Sequence, residues 1–342
     1  MMESMRELQG LVRSGYSDWG LLGDVSVKEK DGLLLFNYAV PAVMANRWNW
    51  LERVSRGLIL DAKTGDVIAR PFDKFFNWGE SGRTTDAPIH SVTEKLDGSM
   101  GILYWRNGWK VATRGSFDSD QARWATEWFN RQNVWMPEAW RTMTVLFEII
   151  YPENRIVVDY GQRAGLAVLA IRRISDGAYY PLWRRWAEAK GFALPQQHFF
   201  NTPAQIADFC ATLDANNEGF VAEFADGQRF KFKGAAYVEL HRLISGLTFS
   251  RAVEAVASGQ IAAVRELVPD ELLAQWNGWV AEIEEKAQHI QAEVERAFVR
   301  APKDDRKGYA LWVRDNVPSL APYMFSRLDG REYMSLVYRR EF

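Results

Sequence analysis

Short apolar runs, closed off by turn residues, dominate the first 240 positions and predict strands. Leu33 to Val40 is apolar and aromatic and stops before Pro41. Gly57 to Asp61 and Val67 to Ala69 flank Thr64-Gly65-Asp66, the pattern of a hairpin with its turn. Met100 to Trp105 and Trp109 to Thr113 flank Asn107-Gly108, a pair that tolerates the positive backbone angles of a tight hairpin. Phe220 to Phe224 and Arg229 to Lys233 flank Asp226-Gly227 in the same way, and Val145 to Tyr151 and Ala167 to Ile174 are further strands. Helical spacing interrupts the pattern near 119–131, where Asp118 and Gln121 read as the cap, and near 181–190.

Past residue 240 the period changes. Ile283, Ala287, Ile290, Val294 and Ala297 recur at three- and four-residue spacing within Ala281 to Arg300, and Leu247 to Ala257 and Ala262 to Trp276 also read as helices. The predicted fold class is α+β: a domain of antiparallel sheets with flanking helices over 1–240, then a small all-α domain over 241–342.

Composition adds exclusions. A length of 342 residues accommodates two domains of about 150 residues each. With 47% hydrophobic and 25% charged residues, a disordered or fibrous chain is excluded. Cys210 is the single cysteine, which excludes an intrachain disulfide and a cluster of zinc-bound thiolates. His90, His198, His241 and His289 show no metal-ligand spacing. There is no apolar run of 18 residues and no signal-type run at the start, so the expectation is a cytoplasmic monomer without a membrane partner. The 42 Lys and Arg against 44 Asp and Glu require that any nucleic acid be met by locally gathered positive charge. The 15 tryptophans serve either as core anchors, the commoner use, or as base-stacking surfaces.

Chemistry concentrates in Glu94-Lys95-Leu96-Asp97-Gly98-Ser99. Lysine two residues before aspartate puts both side chains on one strand face, and glycine permits a sharp exit. A lysine becomes a nucleophile where neighbouring positive charge or desolvation favours the neutral amine. Taken alone, Lys-x-Asp-Gly reads as readily as a strand-to-turn junction. Glu148, however, sits in the apolar run Val145 to Ile150, and Glu218 opens Glu218-Gly219-Phe220-Val221; both need counter-charge. Arg229, Lys231 and Lys233 share one strand face opposite Phe230 and Phe232, either as a charged edge or as partners for phosphate.

The order and spacing of these segments resemble the covalent nucleotidyltransferases, which include ATP-dependent DNA and RNA ligases and capping enzymes. Ser55-Arg56-Gly57-Leu58-Ile59, Arg70-Pro71-Phe72-Asp73-Lys74-Phe75-Phe76-Asn77 and Pro152-Glu153-Asn154-Arg155-Ile156-Val157-Val158 narrow the resemblance to the RNA ligase 1 family of the phage tRNA-repair type. It runs from about residue 33 to 240. Lys95 then matches the nucleophile that takes AMP, with Asp97 and Gly98 in the same motif. Glu148 matches the carboxylate near the ribose, Glu218 the one associated with metal, and Lys231 and Lys233 the pair at the α-phosphate. Arg56 and Lys74 match residues that hold the outgoing phosphates, and Arg114, in Thr113-Arg114-Gly115-Ser116, a further nucleotide contact.

The resemblance implies an ATP-dependent RNA ligase joining 5′-phosphate and 3′-hydroxyl RNA ends, broken tRNA included, through lysyl-AMP and RNA-adenylate. Its cofactors would be ATP and Mg²⁺, or Mn²⁺ in its place, with Glu218, Glu148 and Asp97 reaching the ion through water. The alternatives are a nick-sealing ligase of another branch and a non-catalytic RNA-binding protein on the same fold. Basic residues between Arg296 and Arg340, interleaved with Tyr309, Trp312, Tyr323 and Tyr333, read either as an RNA-specificity surface or as a solvated helical cap.

Overall fold

In the computed structural model, which describes residues 3–244, 247–266, 268 and 273–342, the chain divides into two units, Met1–Ile244 and Ser245–Phe342. The apolar runs of the first unit pair into three sheets. One is ordered β1 (Val25–Lys30), β2 (Leu33–Tyr38), β3 (Arg56–Asp61), β4 (Val67–Ala69). Leu58, Ile59 and Leu60 are all fully buried because this sheet is covered on both faces, by the Leu8, Phe36, Leu51 cluster and by the Leu35, Ile102, Leu146 cluster.

A second sheet is ordered β10 (Gly165–Arg173), β9 (Met143–Ile150), β7 (Ser99–Trp105), β8 (Trp109–Thr113). Its outer face packs on Ala125, Phe129 and Ala187, and Trp109, Trp124, Trp128, Trp140, Trp183 and Trp186 close around that core. Six of the tryptophans are therefore packing anchors, each ring covering a large apolar area.

The third sheet is ordered β11 (Gln197–His198), β6 (Ile89–Glu94), β12 (Gly219–Phe224), β13 (Arg229–Lys233), β5 (Phe76–Asn77). Its pairings are antiparallel except β13 with β5, which is parallel. Phe230 and Phe232 of β13 are buried with Ile206 and Cys210, so the period of two turns Arg229, Lys231 and Lys233 to the opposite face.

Among the described residues seven α-helices flank these sheets: α1 (Met5–Arg13), α2 (Val40–Ala45), α3 (Trp50–Val54), α4 (Asp120–Arg131), α5 (Trp183–Ala189), α6 (Pro203–Ala211) and α7 (Ala235–Ile244). The cap of α4 is Ser119, whose Oγ accepts from the Ala122 N–H, and not Asp118 with Gln121. Asp118 instead pairs with Lys30 at 2.7 Å and accepts from Ser116. The expected boundary at 240/241 falls inside α7.

Among the described residues the second unit is built of helices: α8 (Phe249–Ala257), α9 (Ile261–Glu266), α10 (Leu273–Arg300), α11 (Arg306–Asn316), α12 (Ala321–Leu328) and α13 (Met334–Glu341). Ile283, Ala287, Ile290, Val294 and Ala297 form the buried stripe of α10. The helix expected over Ala262 to Trp276 is two pieces, and residues 267 and 269–272 between them lie outside the described residues. Tyr309, Tyr323 and Tyr333 are buried in this unit's core, with hydroxyls donating to Met324 O, Glu341 and Glu295. They are core anchors, which removes three of the four rings from the expected stacking surface.

Candidate active site

The segment 95–98 is the crossover from the third sheet to the second. Glu94 closes β6, and the Lys95 N–H still donates to Gly219 O at 2.8 Å, so Lys95 leaves the sheet in register. Leu96 is buried with Ile150 and Ala167 and pins the crossing from below. Gly98 then passes so close to β9 that a Cβ would lie 2.5 Å from Ile149 O, and its N–H donates to Glu148 Oε1 at 3.0 Å. Glycine is required here by space.

Three elements converge on that crossing. Glu218, next to the first residue of β12, is 3% exposed in its side chain; its Oε2 lies 2.6 Å from Lys95 Nζ and its Oε1 3.0 Å from Lys233 Nζ. One carboxylate thus holds two lysines, while the Lys95 side chain keeps 22% of its surface exposed. Gly219 has φ +131°, and a Cβ there would meet Phe232 O at 2.0 Å, so the aim of Glu218 also depends on glycine. Glu148 comes from the centre of the second sheet, opposite Met100. Burial pushes its carboxyl up to about 8; Glu218 and Asp97 add to the rise and Lys95 opposes it.

Asp97 is held by protein donors. Its Oδ2 accepts from the N–H groups of Val157 and Val158, both at 2.8 Å, and its Oδ1 from the Tyr237 hydroxyl at 2.7 Å. Its own N–H donates to the Tyr160 oxygen at 2.8 Å. With three protein donors on a buried carboxylate, Asp97 fixes the crossover to the 152–163 segment and to α7. Asn154 joins the same support, accepting from Ser99 Oγ and donating to Ile149 O. Arg155 pairs with Asp159 at 2.8 Å on the rim of a pocket of about 330 Å³ beside Asp97.

The remaining cations are organised by aromatic rings. Lys74, 5% exposed, places its ammonium 5.0 Å from the Tyr38 and Trp48 ring centres and 5.7 Å from that of Phe76. Arg114 lies over the same Tyr38 ring, and its Nη1 donates to the Tyr38 oxygen at 2.7 Å. Phe75 carries the Arg56 guanidinium at 5.3 Å and the Lys231 ammonium at 5.5 Å, and Arg56 Nη1 is 3.0 Å from Met100 Sδ. Arg229 goes elsewhere, to Glu223 at 2.8 Å and to the Tyr179 face at 3.8 Å. Sequence reasoning missed Tyr38, Trp48, Tyr160 and Tyr237; the aromatic pair after Lys74 was the available signal for a ring-lined cation site.

Among the described residues no group of three or more His, Cys, Asp or Glu side chains is arranged to hold a metal ion. Glu218 is engaged by two lysines and Asp97 by three donors, which leaves Glu148 as the buried carboxyl whose ionisation a cation would favour. Such a donor set fits a hydrated ion completed by phosphate oxygens and water.

An RNA ligase family model matches residues 54–237, more than half of the chain. The chain is 28% identical over 216 residues to a putative bifunctional polynucleotide kinase/RNA ligase of Autographa californica nuclear polyhedrosis virus, covering 55% of this chain and 30% of that protein. It is 30% identical over 209 residues to a putative RNA ligase of Thermovibrio ammonificans, covering 56% and 53%. It is 24% identical over 347 residues to an RNA ligase of Rhodothermus phage RM378, covering 78% of each. The chain therefore spans about a third to a half of the length of the first two relatives. A solved Naegleria gruberi RNA ligase mutant with AMP and Mn shares 20% identity and covers 46% of this chain and 52% of its own, at a TM-score of 0.37, too low to bear on the fold. The Lys95 crossover, Glu148, Glu218 and the Lys231–Lys233 strand all lie inside the matched span, and the chain belongs to the RNA ligase family.

Proposed function

We propose that the chain is an ATP-dependent RNA ligase that joins a 5′-phosphate to a 3′-hydroxyl, with the nucleotidyltransferase chemistry confined to the first unit. The observation that carries this reading is the ion-paired triad of Lys95, Glu218 and Lys233 at the crossover between two sheets. In the first step Lys95 Nζ attacks the α-phosphorus of ATP; the N–P bond forms, the bond to pyrophosphate breaks, and the amine gives up a proton. The AMP then passes to the 5′-phosphate of an RNA end, freeing Lys95. The 3′-hydroxyl oxygen finally attacks that phosphorus and AMP leaves. Each step is a displacement at phosphorus, so the protein contributes alignment and charge neutralisation.

Before ATP enters, Glu218 holds Lys95 and Lys233 side by side. Lys231 and Lys233 share one face of β13 and offset charge on the α-phosphate, while Arg56 and Lys74 take the outgoing phosphates and Arg114 makes a further nucleotide contact. Glu148 lies beside the crossover, where it can accept from the ribose. A bound Mg²⁺ or Mn²⁺ would neutralise phosphate oxygens, held by Glu148 and Glu218 through water. The helical unit would select the RNA, broken tRNA among the candidates, through its exposed basic side chains.

Incubation with ATP, Mg²⁺ and 5′-phosphorylated single-stranded RNA, beside a nicked duplex, tests the substrate. Circular RNA from the single strand is expected. Selective sealing of the nick would instead assign the chain to a duplex-repair branch, and neither product from an AMP-labelled protein would leave it without a joining activity.

A further inference from the structure

We propose that Arg172, on β10, is a positioning residue for Lys74 and through it for the phosphates that leave ATP; the inference rests on the ligase reading above. The segment 70–77 carries Lys74 with no regular structure until β5, so something must hold it. Its start is tied to the second sheet: the Arg70 N–H donates to Thr144 Oγ1 at 2.8 Å, and Thr144 is fully buried. Arg172 does the rest. Its Nε donates to Gly177 O at 2.7 Å, its Nη1 to Pro71 O, and its two Nη atoms reach the Asp73 carboxylate at 2.8 and 3.3 Å.

The fork of one guanidinium therefore grips the segment on both sides of Phe72 and ends on the residue before Lys74. Beyond Lys74, Phe76 and Asn77 pair with Phe230 and Lys231. The Lys74 N–H donates to Arg53 O at 2.7 Å, which fixes its backbone between those two anchors. Gly177 makes room for the device: it has φ +76°, and a Cβ would lie 2.6 Å from Arg70 Cζ and 2.9 Å from Arg172 Nη2.

Arg172 is only 6% exposed. Burying a guanidinium to hold a loop costs as much as it returns, and an apolar residue of similar volume stabilises a fold at least as well. What the planar, bidentate fork adds is direction. Here the direction given is that of Asp73-Lys74, and the ammonium that follows is already boxed by Tyr38, Trp48 and Phe76.

Two variants of the full chain, Arg172→Lys and Asp73→Asn, separate positioning from mere support. Arg172→Lys keeps the charge and loses the fork; Asp73→Asn weakens the same grip from a partly exposed side chain. Each is assayed for ATP-dependent labelling of the protein, with KM for ATP and kcat read apart, and for sealing of a preadenylylated RNA, a step from which pyrophosphate is absent. A misplaced ammonium of this kind lowers kcat/KM for labelling about 10- to 100-fold, mostly through KM, with sealing held within about 2-fold. An equal or larger loss in sealing would mean a structural role and overturn the proposal, as would unchanged labelling in both variants. A wild-type chain that neither labels nor seals would remove the ligase reading, and this inference with it.

Discussion

Glu148 shows how a single buried group couples the site to stability. Its folded-state carboxyl titrates at about 8 against an ordinary 4.5, chiefly because burial disfavours the charge. A raised acid means that the folded chain holds a proton the unfolded chain has lost. The stabilising contribution is complete below about 4.5 and drains away as pH rises toward 8, where Glu148 ionises in both states. Expressed in full, the shift is on the order of 5 kcal/mol. Denaturant unfolding of the ligand-free protein across that window is expected to show stability falling with pH, and Glu148→Gln is expected to flatten that part of the curve. A slope unchanged in Glu148→Gln would place the proton elsewhere. Lys95 and Glu218 meet at 2.6 Å, so neither charge is left bare.

At the scale of elements, a short irregular crossover is made rigid by elements remote in sequence. Tyr237 lies on α7, 140 positions from Asp97, and its hydroxyl is one of three donors to that buried carboxylate. Tyr237→Phe removes the donor and keeps the ring, and is expected to destabilise the chain by about 1.5–3 kcal/mol, the range for a hydrogen bond to a charged group. Urea unfolding reads that loss, and a change within error would deny α7 its part in holding the crossover. Little of this was legible in the sequence. Hairpins were, because Asn107-Gly108 and Asp226-Gly227 mark their own turns, and so was the α10 stripe. The β6 segment Ile-His-Ser-Val-Thr-Glu escaped because it is too polar to read as a strand. The α6 helix escaped although Thr202 and Pro203 form a clear start. Local signals also singled out Lys95, Glu148, Glu218, Lys231 and Lys233 as candidates. They could not reveal that Asp97 takes three protein donors or that Tyr38 and Trp48 enclose Lys74, because those partners lie tens of residues away.

For the molecule as a whole, a net charge of -2 conceals a strongly patterned interior. Cations gather on the polar face of one sheet and on rings of another segment, and each carboxylate among them has a specific partner. In the helical unit several basic side chains are also paired: Arg306 and Arg331 with Asp329, Arg327 with Glu295, Lys286 with Glu341. Exposed pairs of this kind contribute at most about 1 kcal/mol each, so they shape the surface more than they stabilise it. Near-neutrality is thus compatible with a nucleotide site, since the charge that matters is local. The most direct measurement is to incubate the chain with ATP and Mg²⁺, digest it, and locate the added AMP by mass spectrometry. The expected result is one AMP, on Lys95, absent in Lys95→Ala. An AMP on any other residue, or labelling that survives in Lys95→Ala, would contradict it.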